Sequence, residues 1–473
     1  MATSRRDFLR TSTCALGAAA LLTGIEQFGM VNAFAQQSSP DFTPSGYKAL
    51  VCIFLSGGND GNNTVIPYTD YNNPGGYAAV RSGSTLAIPQ ANLLQVQPLS
   101  TQSRVFGFHP NMVEMQQLFQ QQRLAVLCNT GTLVQPLNKS QYQSGVGRPS
   151  QLFSHSDQVA QQQSSVSTNV SQTGWGGRTA DQLFSINGSA PLPMIITLAG
   201  TTLFATGTNT RQLSVGDSNT PLSSVLVLSG FDSTASSIAR RAAYDQLRTI
   251  DNNAMLVRAS SDVTTQALQA SAALSTNPTI TTTFPTNFSI GRQLLQVARL
   301  IKANFTQASL GLNRQIFFCS LGGFDTHSGQ LAQQVTLLAQ LSQAMKAFYD
   351  FTNTEMNIAN QVTTFTMSDF GRTFLPGGSG TNVGSDHGWG NHQFIMGGAV
   401  RGGDFYGTYP TLALGGPDDT DSGSTPRGRW IPTTSVDQYA ATLASWYGLA
   451  SSDIPLVFPF VSRFPSANLG FLM

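Results

Sequence analysis

I-F-F-C-S at 316 to 320 and T-T-F-T-M at 363 to 367 bracket a segment in which Leu331, Val335, Leu338, Leu341, Met345 and Phe348 recur every three or four residues. Short apolar runs of this kind read as buried strands, and the spacing between them is the stripe of an amphipathic helix packed on a sheet. Strand, helix and strand make a β-α-β unit, whose right-handed crossover sets the two strands parallel. Their carboxyl ends then share one edge of the sheet, the edge at which open α/β sheets bind ligands. G-G-F-D-T-H at 322 to 327 follows the first strand and S-D-F-G-R-T at 368 to 373 the second, so Asp325, His327 and Asp369 are expected at that edge.

Working outward, residues 48 to 55 form a continuous apolar run that ends in Ser56-Gly57-Gly58, as a strand buried on both faces would. Asn59, Asp60, Asn62 and Asn63 follow it, a third polar loop for the same edge. Residues 111 to 121 read as a helix, and 124 to 128 and 193 to 198 as further strands. The expected fold is α/β, with a mostly parallel central sheet flanked by helices. Residues 201 to 310 break the alternation with a Ser/Thr/Asn-rich stretch and helical segments near 236 to 273 and 289 to 304, read as a helical insertion or cap over the crevice. No internal repeat is evident.

Charge is sparse: Asp, Glu, Lys and Arg make up 10% of 473 residues, and the formal net charge is +1. That balance excludes a nucleic-acid footprint and a polybasic membrane patch. Cys52, Cys128 and Cys319 each sit inside an apolar run without C-x-x-C spacing, which reads as core rather than disulfide framework or metal cluster.

The chain has five histidines, His109, His155, His327, His387 and His392, and the last three share one glycine-rich segment with Asp325, Asp369 and Asp386. Scarce imidazoles and carboxylates gathered in loops suit a divalent ion such as Zn, Mn, Mg or Ca. Each residue also has a plainer reading. Asp60 in N-D-G suits a turn, His327 a helix cap, and His109 the opening of a helix.

At the other end, S-R-R-D-F-L-R at 4 to 10, the apolar stretch Ala15 to Leu22 and the small-residue site Ala33-Phe34-Ala35 read as an export signal of the twin-arginine type, expected to be cleaved after Ala35. The apolar stretch is too short and interrupted for a transmembrane anchor. Residues 36 to 473 are then the mature protein, delivered by the twin-arginine translocase to the periplasm or beyond.

These features, with L-S-G-G-N-D-G-N-N-T-V-I-P-Y at 55 to 68, F-S-H-S-D-Q at 153 to 158, G-W-G-G-R at 174 to 178, D-H-G-W-G-N-H at 386 to 392 and I-P-T-T-S-V-D-Q-Y at 431 to 439, make the chain resemble the domain-of-unknown-function 1501 family. That family is similar to a distant branch of the alkaline phosphatase/sulfatase superfamily, whose members process phosphate and sulfate esters with metals at strand ends. The resemblance implies an alkaline phosphatase-like fold. It also implies metal ligation by Asp60, Asp325, His327, Asp369 and His387 or His392. Two departures stand out. Asp325 and His327 are two residues apart where phosphatases usually have four, and Phe370 stands where an Asp-His dipeptide would place histidine. A single or mixed metal site is therefore expected rather than a full two-zinc site.

By the same resemblance the nucleophile is Ser154, with Ser156 its rival, at the start of a helix whose N–H groups can stabilise an oxyanion. A serine there equally fits a plain N-cap. His155 and Arg372 would line the opposite wall and neutralise the anion. Two functions follow: an exported metal-dependent hydrolase of phosphate, sulfate or related esters on a small molecule or polymer, or a non-catalytic exported binding or envelope-associated protein that keeps the fold and a structural metal. The polar residues at the strand ends favour the first, and Phe370 favours the second.

Overall fold

The computed structural model describes residues 42–473, apart from 102, 226–231, 249, 251, 252 and 308. The expected export signal lies outside the described residues. The main sheet contains β1 (Lys48–Leu55), β2 (Leu124–Gly131), β3 (Ile195–Thr197), β4 (Leu213–Ser214), β5 (Arg314–Leu321), β6 (Val362–Ser368), β7 (Asn391–Met396), β8 (Phe405–Tyr406) and β9 (Thr434–Ser435). The strands lie in the order β8-β2-β7-β6-β1-β5-β3-β4, with β9 beside the end of β2. Every pairing is parallel except those of β7, which runs antiparallel to both β2 and β6. Three short antiparallel strands, Val65–Pro67, Leu94–Val96 and Phe106–Phe108, form a separate small sheet.

The helices used below are α1 (Val113–Gln120), α2 (His155–Ser164), α3 (Trp175–Leu183), α4 (Ala235–Leu247), α5 (Met255–Ala273), α6 (Ser289–Thr306), α7 (Gln330–Asp350) and α8 (Val436–Tyr447). Side chains alternate across a strand, and β1 is apolar at every second position on both sides. Val51, Ile53 and Leu55 enter one core with α1, α6 and α7, while Leu50, Cys52 and Phe54 enter another with α3 and α8. Both faces are thus covered, which is why the strand reads as an unbroken apolar run. Cys52, Cys128 and Cys319 are free and buried within these cores.

The insertion expected over 201 to 310 divides differently. Helix α6 buries Ile290, Leu294, Val297 and Ile301 in the core beside α7, and β4 belongs to the main sheet. Neither is a cap. Helix α4 and the start of α5 remain at the surface, with Ile238, Leu247 and Met255 exposed, while Ala270 and Ala273 at the end of α5 join the core.

The inward face of α7 also differs from its expected stripe. Leu338, Leu341, Met345 and Phe348 are buried, but Val335 is exposed and the first two inward positions are Gln330 and Gln334. That end of the helix reaches past the apolar core to the polar edge of the sheet, where Gln330 Nε2 donates to Asp60 Oδ2 at 2.5 Å.

On the opposite layer, Asp437 in the first turn of α8 is buried, accepts Phe460 N at 3.3 Å and leaves its second oxygen unpartnered. Burial pushes this carboxyl up to about 7 against the opposing pull of Ser165, backbone N–H groups and Arg178. Its folded value exceeds its unfolded one, so its contribution to stability is full below about pH 4 and is lost as pH rises through about 7. Thermal unfolding at pH 5 and pH 8 checks this. Wild type is expected to lose stability across the interval by up to a few kcal/mol, since each tenfold difference in proton affinity between the folded and unfolded chain is worth about 1.4 kcal/mol. Asp437→Asn is expected to show a flatter profile.

Candidate metal centre

Parallel register puts Leu55, Leu321 and Ser368 side by side, so the loops that follow them open at one edge. The single antiparallel strand completes the arrangement. His387 precedes β7, and because β7 runs the other way its entry lies where its neighbours exit. The chain leaving β2 passes through residues 132 to 154 and returns to the same edge at the N-terminus of α2, which begins with His155.

Four side chains meet there. His387 Nε2 lies 3.0 Å from His155 Nε2 and 3.0 Å from His327 Nε2. Asp325 Oδ1 lies 3.1 Å from His327 Nε2 and 3.4 Å from both His155 Nε2 and His387 Nε2. The outer nitrogen of each imidazole is engaged. Asp369 Oδ2 faces His155 Nδ1 at 2.8 Å, Asp386 Oδ1 faces His327 Nδ1 at 3.2 Å, and the Phe153 carbonyl accepts from His387 Nδ1 at 2.7 Å. Each of these partners is an acceptor, so each Nδ1 carries a proton and a ring in its neutral form turns its Nε2 lone pair inward.

Three lone pairs and a carboxylate oxygen then face one another. His387 Nε2 has one lone pair and two imidazole neighbours, so hydrogen bonds satisfy the cluster only by placing extra protons on the outer two rings, one donating to His387 Nε2 and one to Asp325 Oδ1. A divalent cation satisfies it with the rings neutral, and an outer acceptor on each histidine is how metal-ligating imidazoles are ordinarily held. The donor set therefore fits a metal ion.

The surroundings fix these groups. Arg372, buried, donates from Nη1 to Asp325 Oδ1 at 2.8 Å and to the Gly57 carbonyl at 3.2 Å, and from Nη2 to the Ser385 carbonyl. Burial alone would raise the Asp325 carboxyl, but the hydrogen bond and charge of Arg372, with His155 and His327, hold it below its ordinary value. Asp386 is likewise lowered despite burial, chiefly by the charge of Arg427. Burial lowers His387, against the Phe153 carbonyl, which favours its protonated form. Gly57 takes φ of +114° and packs against the backbone of Asp325, leaving no room for a Cβ; its N–H donates to Asp369 Oδ1 at 3.0 Å. Phe153, with φ of +70°, holds a strained backbone for a non-glycine residue while it presents its carbonyl to His387.

The expected residues thus separate. Asp325, His327 and His387 come together, and His155, open in the sequence between a ligand and an anion-binding wall, joins them as a member of the cluster. Asp369 stands behind His155 and orients it, with its other oxygen bonded to Gly57 N. Asp60 stands apart from the cluster. It caps the short helix Gly61–Thr64, pairs with Arg81 at 2.5 Å and accepts from Gln330, so its oxygens are already occupied. His392 is also elsewhere: at a register shift in β7 it stacks on Tyr409 and accepts Asn129 N at 3.2 Å, and burial pushes it down to about 3. Arg372 grips Asp325 instead of facing an anion. The Ser154 hydroxyl donates to Asp157 Oδ2 at 2.5 Å, and Ser156 Oγ lies 3.3 Å from the same oxygen.

Sequence reasoning misses Arg81, which nothing in its local sequence marks, and the pair Arg427 and Arg429. Arg427 binds Asp386, while Arg429 donates to the His387 carbonyl at 3.1 Å and lies over the Phe153 ring at 4.7 Å. R-G-R at 427 to 429, just ahead of the I-P-T-T-S-V-D-Q-Y motif, is the signal that could have found them.

Replacing Asp369 by asparagine keeps the shape but removes the charge behind His155. Metal affinity is expected to fall by about 10- to 100-fold with the fold retained, measured by competition with a chromogenic chelator.

Comparison with solved structures finds loose likenesses. Ps i-CgsB, solved in complex with k-i-k-neocarrahexaose, is 8% identical with a TM-score of 0.35, over 88% of this chain and 77% of that one. The lipoteichoic acid synthase LtaP from Listeria monocytogenes is 8% identical with a TM-score of 0.31, over 91% and 78%. PsFucS1 sulfatase from Pseudoalteromonas sp. is 9% identical with a TM-score of 0.32, over 86% and 68%. At these scores no residue or activity transfers. No curated protein matches the chain by sequence. The model of one family, described as protein of unknown function (DUF1501), matches residues 47–420, most of the chain, and the protein belongs to that family.

Proposed function

We propose that the protein is an exported, metal-dependent hydrolase of phosphate, sulfate or related esters. The observation that carries this reading is the convergence of His155 Nε2, His387 Nε2 and Asp325 Oδ1, with His327 Nε2 against the last two. His155, His327, His387 and Asp325 would hold the ion, and Asp369, Asp386 and the Phe153 carbonyl orient the rings. Asp325 and His327 are each 47% exposed, His155 33% and His387 25%, so the cluster is open to solvent as catalytic sites are and closed structural sites are not. A bound divalent ion would supply charge to polarise an ester and to lower the pKa of an adjacent hydroxyl or water.

Arg427 and Arg429, partly exposed at the same rim, suit an anionic ester group. Ser154 is the nucleophile in this reading, with Ser156 the alternative; Asp157 accepts the Ser154 hydroxyl as a base would. A second reading, a non-catalytic binding protein with a structural ion, is favoured by Phe370, whose ring packs 4.7 Å from that of His155 and 4.8 Å from that of His387.

Protein purified without chelators, tested for metal and then on an ester panel, separates the two. Turnover that disappears on chelation and in Ser154→Ala or Ser156→Ala supports the hydrolase. Folded, metal-loaded protein inert across the panel supports the binding protein. Among the described residues no helix is long and apolar enough to cross a membrane. Export rests on Arg5 and Arg6: changing both to lysine is expected to retain the protein inside the cell, and normal export of that variant contradicts it.

A further inference from the structure

We infer that the centre takes one ion per chain and selects a borderline transition metal, such as zinc or cobalt, over calcium or magnesium. This rests on the metal-dependent reading above and adds the identity and number of the ion.

Selectivity follows from which atoms are offered. His155 Nε2, His387 Nε2 and Asp325 Oδ1 group at metal-ligand spacing, and His327 Nε2 lies within 3.1 Å of both His387 Nε2 and Asp325 Oδ1 as a further nitrogen donor. Two more carboxylates lie nearby, but Asp369 is committed to His155 and Gly57, and Asp386 to His327 and Arg427. Calcium requires about 6–8 oxygen ligands, and magnesium is likewise a hard ion that prefers oxygen. Imidazole suits zinc, copper, iron and nickel. Spending the nearby carboxylates on Nδ1 protons therefore turns an acidic, histidine-bearing edge into a nitrogen site. Phe153 contributes to the same end as a positioning residue, because its strained backbone supplies the third acceptor where no carboxylate stands.

The number follows from what remains. Asp60 is paired with Arg81, His392 Nδ1 accepts Asn129 N, and His109 Nδ1 accepts Asn111 N at 3.2 Å. Among the described residues one group of histidines and carboxylates has the spacing of a metal site, His155, Asp325 and His387, and His327 stands beside it, 3.0 Å from His387 Nε2. A second ion would have to displace an arginine from Asp60 or Asp386.

The test uses the full exported chain stripped with a chelator and titrated separately with zinc, cobalt(II), calcium and magnesium. Equilibrium dialysis reads the stoichiometry, thermal unfolding the stabilisation, and visible absorption the cobalt environment. The expected result is one cobalt per chain with ligand-field bands, displacement by one equivalent of zinc, and no displacement by a large excess of calcium or magnesium. His327→Gln is expected to bind cobalt at least about tenfold more weakly with altered bands, and Phe153→Gly to keep the bands. Two ions per chain, preference for calcium or magnesium, no ion bound, or an unchanged spectrum in folded His327→Gln would each overturn it. Calcium-dependent ester turnover would overturn this inference while leaving the hydrolase reading intact. Turnover by the stripped protein in excess chelator would end that reading instead.

Discussion

Arg81→Ala is expected to destabilise the protein by about 3–5 kcal/mol, the range for breaking a buried ion pair by removing one partner. Arg81 and Asp60 are both fully buried, and all five guanidinium N–H groups of Arg81 are used: on both Asp60 oxygens, on Asn63 Oδ1, and on the carbonyls of Thr373 and Phe374. Alanine leaves the Asp60 charge in the interior with only Asn62 and Gln330 to hydrogen-bond it. Denaturant unfolding checks the loss. Asp60→Asn with Arg81 intact is expected to cost stability too, while metal bound per folded molecule stays at the wild-type level. Loss of the ion from stably folded Asp60→Asn would return Asp60 to the metal site.

His387→Ala has the second large effect. His387 Nε2 touches two other imidazole nitrogens, so its removal takes away a ligand and also relieves crowding of lone pairs in the metal-free protein. Metal-free His387→Ala is therefore expected to be no less stable than metal-free wild type at the cluster itself. The difference emerges on adding metal. An ion at 100 times its Kd stabilises the folded state by about 2.7 kcal/mol, and this gain is expected in wild type and absent in the variant. Paired melting curves with and without zinc measure it.

The parallel unit around α7 is legible in the sequence because its pattern changes from a continuous apolar run to a helical stripe and back. That change alone places Asp325, His327 and Asp369 at one edge. Which of them face a shared ion is not legible, because Asp369 and Asp325 follow strands in the same way and differ only in what lies opposite. A backbone N–H of Gly57 and the ring of His155 draw Asp369 back, while Arg372 holds Asp325 forward. The first turn of α7 departs from its expected stripe for a related reason: Gln330 and Gln334 occupy inward positions, and amides break an apolar pattern even where the helix is buried. His155 stands out as a scarce imidazole, but its place at this edge is reached only through family resemblance, since the excursion between β2 and α2 has no periodicity to follow. Asp60 looks like a ligand in the sequence because its true partner, Arg81, lies 21 residues away with no recognisable motif.

The central claim is that His155, His327, His387 and Asp325 hold a metal ion. Crystals grown with zinc and measured on both sides of its absorption edge test it most directly. The account predicts one anomalous peak bonded to the three Nε2 atoms and Asp325 Oδ1, with Asp60, Asp369 and His392 outside the coordination shell. No peak there despite saturating zinc, or a peak coordinated by Asp60 or His392, would contradict it.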